Sequence, residues 1–151
     1  MPEILFYHLE RHTLEQVLPP LLEKSLERGW RVVVQACSEE RVEALDQHLW
    51  TYRDDSFLPH GTDREADSDV QPILLTLRSE NINAAKVRFL VEGAPVPAHP
   101  ENYERIVLIF DGHDPDSVTA ARACWTAYEA KGFQMSYWQV DEQGRWRRRK
   151  S

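Results

Sequence analysis

The sequence predicts a three-layer α/β/α sandwich with a mainly parallel central sheet. Apolar runs rich in β-branched residues alternate along the chain with segments of helical period. The 151 residues, 42% of them hydrophobic, suffice for one core but not for two domains of ordinary size. No two glycines are closer than 12 residues, so the chain has no Walker loop and no GxGxxG turn. The predicted fold is therefore Rossmann-like without a phosphate loop.

The first two elements are a strand and a long helix. Glu3–His8, with the apolar run Ile4–Phe6 inside it, predicts the opening strand. Thr13 and Gln16 have the spacing of a capping box, and leucines at helical spacing follow until Gly29. Because proline lacks an N–H and clashes with the preceding turn, Pro19–Pro20 predicts a kink or a second helix start.

A second strand–helix pair follows. Trp30–Ala36 contains a β-branched run and predicts a buried strand. Ser38 is placed to cap the next helix, which has an apolar stripe at Val42, Leu45 and Leu49. The polar stretch Pro59–Asp69 predicts a mobile loop.

The middle of the chain contains three apolar runs. Val70–Leu77 predicts a strand, and its Pro72 favours the start of the strand or an edge position. Lys86–Val91 is short enough to be strand or helix. Gly93–Asn102, with three prolines, predicts a rigid connector, and Arg105–Phe110 predicts a buried strand.

A helix and a strand complete the pattern. Asp114 and Pro115 have the character of an N-cap and first helical residue, and Gly132 ends the helix. Phe133–Val140 then predicts the last strand. We expect one α/β domain over residues 1–142 and a basic C-terminal tail over 143–151.

Charge divides these two parts of the chain. All 25 acidic residues lie at or before Glu142, whereas five of the 18 basic residues follow it, and the net charge is −7. An acidic body repels a nucleic-acid backbone, so broad duplex binding is not expected. The tail is expected to be a solvated, disordered end, with weak contact to phosphate or to an acidic protein as the alternative.

Cysteine usage and hydropathy indicate a compartment. Cys37 and Cys124 have no metal-ligand spacing, as is usual in the reducing cytoplasm. No apolar run approaches the roughly 18 residues of a membrane span. We expect a soluble cytoplasmic protein with no membrane contact.

An enzymatic site would be expected where Asp111 and His113 follow the Arg105–Phe110 strand, because α/β sites lie at this sheet edge. Cys37 also lies between a strand and a helix start, a position that activates some thiols. However, Glu43 stands where a phosphatase-like loop would need arginine, and turn and cap chemistry explains the other groups. We expect no metal and no cofactor.

The positions of aromatic and basic residues favour a binding surface over a catalytic site. Trp50 lies at the margin of the apolar stripe of its helix, and Phe57 follows in a segment that mixes aromatic and charged residues. Arg122 precedes Trp125 by three residues, so their side chains are neighbours on one helix surface. Tryptophan–arginine pairs of this kind are typical of binding anchors, although large aromatics are equally often core residues.

The sequence resembles the chi subunit of bacterial DNA polymerase III holoenzyme, a clamp-loader accessory protein. The resemblance covers nearly the whole chain, and it depends on the joint order of short segments rather than on one motif. Those segments are Phe6–Leu9, Leu49–Tyr52, Ser56–His60, Gln71–Thr76, Phe110–Gly112, Ala121–Trp125, Lys131–Gly132, Tyr137–Gln139 and Gly144–Trp146.

The resemblance implies a non-enzymatic adaptor in DNA replication. Chi subunits bind the psi subunit of the clamp loader and the acidic C-terminal tail of single-stranded DNA-binding protein, which ends in Pro-Phe. They meet DNA only indirectly.

By matching positions, Trp50, Phe57 and Trp125 would form a slot for the terminal phenylalanine, and Arg122 would hold a carboxylate.

Basic residues that the family tends to have on this helix are absent, since Val118, Thr126 and Glu129 stand there. Arg53, Arg145 and Arg147 are the candidate auxiliary cations. The competing functions are a small enzyme using Asp111, His113 and Cys37, and direct single-strand binding through the basic tail and Trp146.

Overall fold

The computed structural model describes residues 2–51, 58–141 and 143–150, and it confirms the α/β class. The strands are β1 (Glu3–Leu9), β2 (Val32–Gln35), β3 (His60–Thr62), β4 (Ile73–Thr76), β5 (Val87–Leu90), β6 (Arg105–Asp111), β7 (Gln134–Val140) and β8 (Trp146–Lys150). The helices are α1 (Leu14–Glu27), α2 (Glu39–Thr51) and α3 (Pro115–Ala130). Of the helices in this part of the chain, none is long and apolar enough to cross a membrane.

One sheet contains all the described strands, in the order β3-β4-β2-β5-β6-β1-β7-β8. Neighbouring strands pair in parallel except β7 and β8, which are antiparallel. The predicted mainly parallel sheet is therefore confirmed. The apolar run at 86–91, for which strand and helix were both open, contains β5.

Alternate side chains of β1 enter two separate apolar clusters. Leu5 and Leu9 pack in the cluster that contains the buried side of α1 and α2. Ile4 and Phe6 pack in the cluster that contains Trp125 of α3. Because successive strand residues point to opposite faces, the cluster that contains α3 lies on the other face of β1 from the cluster that contains α1 and α2.

Helix α1 has the predicted capping box but does not break at its prolines. The Thr13 hydroxyl accepts from the Gln16 amide, and the Gln16 side chain accepts from the Thr13 amide. Pro19 has no N–H for the carbonyl oxygen of Glu15, four residues earlier. His48 of α2 takes that place, because its Nε2 lies 2.7 Å from this oxygen. A contact between the two helices therefore satisfies the carbonyl that proline leaves unpaired, and α1 continues as one helix.

Strand β3 is an element that the polar character of 59–69 did not predict. It has three residues and pairs with β4, with His60 opposite Ile73. His60 is only 6% exposed, and its ring nitrogens Nδ1 and Nε2 lie 2.7 Å and 3.1 Å from the carbonyl oxygens of Leu58 and Asp46. Backbone pairing and one buried ring, rather than an apolar pattern, define this edge strand.

The C-terminal segment is a strand and not the disordered end that its charge favoured. The Asp141 carboxylate accepts from the backbone amides of Gln143 and Arg145, and Gly144 has a φ of 79°, which together form the turn after β7. Trp146 then packs edge-on against Tyr7, with ring centroids 4.9 Å apart. Backbone pairing with β7 and this aromatic contact outweigh the repulsion among the cations of the segment.

Candidate partner-binding site

Helix α3 brings Arg122 and Trp125 to the β1–β7 part of the sheet. The Asp114 carboxylate caps the helix by accepting from the Asp116 amide, as the sequence predicted. Trp125 is 6% exposed and packs against Phe6, with ring centroids 5.4 Å apart. The Trp125 indole N–H donates to the Glu129 carboxylate at 3.2 Å. Trp125 is thus largely a core residue, with only its margin at the surface.

A cavity of about 540 Å³ opens beside this tryptophan. Its lining joins α3 to the carboxyl-terminal half of β1, to β7 and to β8. The residues around it are His8, Arg122, Trp125, Thr126, Tyr137, Gln139 and Arg149. Aromatic rings and two guanidinium groups therefore share one cavity, whose size is within the range typical of ligand sites.

His8 and Tyr137 form a fixed aromatic wall of this cavity. The His8 Nδ1 lies 2.6 Å from the Tyr137 hydroxyl, and its Nε2 lies 3.1 Å from a carboxylate oxygen of Glu10. Burial lowers the pKa of His8, against the opposing effect of Glu10. The ring packs so closely on Gly112 that a Cβ there would overlap it. These contacts fix both rings before any ligand binds.

Among the described residues, no acidic side chain pairs with the two arginines of the cavity. Within the described residues, the guanidinium groups of Arg122 and Arg149 form no ion pair and no hydrogen bond. The Glu10 carboxylate, at the margin, is engaged by His8 and by the Gln139 amide at 3.2 Å. Two cations with free donors beside aromatic rings can hold a ligand that carries both carboxylate and aromatic groups.

Trp50 lies elsewhere. It is at the end of α2, is half exposed, and contacts the His60 ring of β3 with centroids 4.4 Å apart. Strand β3 is at one edge of the sheet, whereas β1 is sixth in the order, about 24 Å away at ordinary strand spacing. Residues of α2 and α3 also belong to different apolar clusters, which lie on opposite faces of the sheet. A single slot lined by both Trp50 and Trp125 is therefore not formed, and that expectation is wrong.

The other residues predicted for the site are Phe57, Arg53, Arg145 and Arg147. Of these, Phe57 and Arg53 lie outside the described residues. The guanidinium of Arg147 is engaged by the Asp141 carboxylate at 2.7 Å, and neither it nor Arg145 lines the cavity. Arg149 was predicted only as part of the basic C-terminal tail and not as a single site residue, although its place in a basic segment after a turn was a usable signal.

At the alternative enzymatic site, Asp111 and His113 are engaged in contacts with the backbone of neighbouring turns. The Asp111 carboxylate accepts from the backbone amide of His113, and the His113 Nε2 lies 2.6 Å from the carbonyl oxygen of Glu10. Burial and the Glu92 carboxylate raise the pKa of Cys37, the opposite of what activates a nucleophilic thiol. Across the parts of the chain that the structure describes, no group of three or more His, Cys, Asp or Glu side chains is arranged to hold a metal.

Comparisons with known proteins bear on the whole fold. The family model for the DNA polymerase III chi subunit, HolC, matches residues 1–136, which include β1 to α3 and the start of β7. The chain is also 26% identical over 117 residues to the probable DNA polymerase III subunit chi of Rickettsia prowazekii (strain Madrid E), covering 74% of this chain and 71% of that protein. The match extends over nine-tenths of the sequence, and it includes β1 and α3, which contribute four of the seven residues that line the cavity. This chain therefore belongs to the DNA polymerase III chi subunit family.

Proposed function

We propose that this protein is a non-catalytic adaptor that links the clamp loader to single-stranded DNA-binding protein. Family membership supports a role as an accessory subunit in DNA replication. The cavity beside α3 supports binding of a partner protein. There, Arg122 and Arg149 face an aromatic wall without an acidic partner among the described residues. Its proposed ligand is the acidic C-terminal tail of single-stranded DNA-binding protein.

The chemistry of that tail fits the cavity group by group. A C-terminal Pro-Phe offers one aromatic ring and one carboxylate on the same residue. The ring would pack on the Tyr137 side of the wall, where the exposed margin of Trp125 also lies. The carboxylate would take two N–H donors from Arg122, because guanidinium and carboxylate match in bidentate geometry. Acidic residues before the Pro-Phe add Coulomb attraction that salt screens.

The other proposed partner is the psi subunit of the clamp loader, bound on a different surface. Contact with DNA would be indirect. The part of the chain up to Glu142 contains every acidic residue, so its net negative charge opposes direct binding of a phosphate backbone.

The experiment is calorimetric titration with a synthetic acidic peptide that ends in Pro-Phe with a free carboxylate. We expect measurable binding that weakens with salt, and a loss of about tenfold or more in Arg122→Gln with a shallower salt dependence, since a hydrogen bond to a charged group is worth about 1.5–3 kcal/mol. Lys86→Gln is the matched control, because Lys86 is an exposed cation that does not line the cavity.

Two further peptides test the recognition of the end of the tail. An otherwise identical peptide with a C-terminal amide, and one that ends in Pro-Ala, should both bind much more weakly. Equal binding of the free acid and the amide, or no binding of the free acid by the unmodified protein, would refute the proposed function.

A further inference from the structure

We propose that strand β8 is part of the binding site, and that Arg149 is the second guanidinium that selects an acidic ligand there. This inference rests on the proposed function, because the ligand is the same acidic tail. It adds a residue that neither the family match nor the sequence pattern assigns. The matched range ends at residue 136, and β8 begins at Trp146.

The pairing of β8 with β7 accounts for the direction of Arg149. Arg148 lies opposite Trp138, and Lys150 lies opposite Tyr137. Two steps along β8 thus correspond to one step along β7, so Arg149 is the extra residue of a β-bulge. A bulge re-aims a side chain and is common beside binding sites. Here the residue in the bulge lines the cavity together with Arg122.

Helix α3 cannot provide this second cation. Arg122 is the only basic residue between Pro115 and Ala130. Thr126, one turn further along the helix, lines the cavity without a charge, and the Glu129 carboxylate is engaged by the Trp125 indole. A ligand with several carboxylates would therefore meet one guanidinium if β8 were absent, and it meets two because β8 pairs with β7.

Contacts at one end of β8 and in the turn before it give Arg149 a defined position beside the cavity. Trp146 packs on Tyr7 at one end of the strand, and the Arg147–Asp141 ion pair stabilises the turn between β7 and β8. Arg149 is thus presented from a paired strand rather than from a free tail. Less conformational freedom is lost when a ligand binds to a guanidinium held in this way.

An acidic peptide fits this arrangement better than a nucleic acid. The cavity has a defined aromatic wall and two cations, which suit one ring and a few carboxylates. A nucleic-acid strand would instead extend past the cavity over a body that carries all 25 acidic residues.

Strand β8 offers a matched pair of variants for the test. Arg149→Gln and Arg148→Gln remove the same charge from adjacent exposed residues, but Arg148 lines a different cavity, with Glu3, Glu129 and Met135. Against the acidic peptide ending in Pro-Phe, we expect Arg149→Gln to weaken binding about tenfold. Arg148→Gln should weaken it less than about twofold, as is usual for an exposed charge outside a contact.

The outcomes separate this inference from the proposed function. Equal losses in the two variants would refute it, because the effect would then be one of overall charge. A loss in Arg122→Gln with none in Arg149→Gln would also refute it, while leaving the proposed function in place. If the unmodified protein failed to bind the peptide, both the role of Arg149 and the proposed function would be refuted. Binding of a bare single-stranded oligonucleotide that depends on Arg149, with no effect on the peptide, would overturn the choice of ligand.

Discussion

We expect His48→Ala to destabilise the protein, because His48 of α2 is the partner of a backbone carbonyl oxygen of α1. The His48 Nε2 lies 2.7 Å from the Glu15 carbonyl oxygen, which has lost its helical partner because residue 19 is proline. In His48→Ala this oxygen, in a partly buried junction between α1 and α2, would lose the His48 ring nitrogen as its partner.

The size of the effect follows from that environment. A buried acceptor left unsatisfied costs about 1–3 kcal/mol. The junction is only partly buried, so water can reach the oxygen in part, and we expect about 1.5 kcal/mol. For a chain of this length, such a loss corresponds to a fall in Tm of about 4 °C.

A double-mutant cycle with Pro19→Ala isolates this interaction. Alanine at position 19 restores an N–H that can bond to the Glu15 carbonyl, so His48→Ala should cost less in that background. Urea unfolding of the four proteins should give a coupling of about 1 kcal/mol, with other losses of packing at either site cancelling. Additive effects, within about 0.5 kcal/mol, would show that His48 does not compensate for the proline.

The two remaining expectations concern Trp125 and Asp141. Trp125→Ala should lower the free energy of unfolding by about 3–5 kcal/mol, because the ring is 6% exposed and packs on Phe6. A loss below about 1 kcal/mol in urea unfolding would instead identify Trp125 as a surface residue. The Arg147 guanidinium, followed by the Arg145 backbone amide, lowers the pKa of Asp141 to about 2 from 3.8. The stabilising contribution of the ionised carboxyl is therefore complete above about pH 4 and is lost as the pH falls toward 2. A ¹³C NMR titration should show this midpoint, and Arg147→Gln should move it upward; an unchanged midpoint would exclude the ion pair.

The elements predicted correctly are those with a strong local pattern. Thr13 and Gln16 form the capping box that their spacing predicted, and Arg105–Phe110 lies within β6. Apolar periodicity and capping residues act over a few positions, so one sequence is enough to recognise them.

The two edge strands were missed for a different physical reason. Strand β3 has three residues, one of them glycine, and β8 consists of one tryptophan and four cations. Neither has an apolar alternation, since neither has a face fully buried in the core. Backbone pairing with a neighbouring strand forms them, and that pairing is a property of the whole sheet. The turn Asp141–Gly144 between Val140 and Trp146 was the available signal for β8.

The candidate site was predicted in part. The neighbouring positions of Arg122 and Trp125 follow from helical spacing, and both residues line the cavity. The separation of Trp50 from them depends on the strand order, which local patterns do not determine. The same limit applies to Arg149, which reaches the cavity only because β8 pairs beside β7.

The outer strands of the sheet also bear on how the protein behaves at high concentration. An exposed strand edge is a template on which another chain can pair, and that pairing leads to aggregation. Strand β3 is too short to offer more than a few backbone groups, and an identical β8 approaching the other edge would bring a second row of cations against the first. Each outer strand thus discourages lateral growth of the sheet by a different means. The charge on β8, which we propose attracts an acidic ligand, would also keep copies of the protein apart.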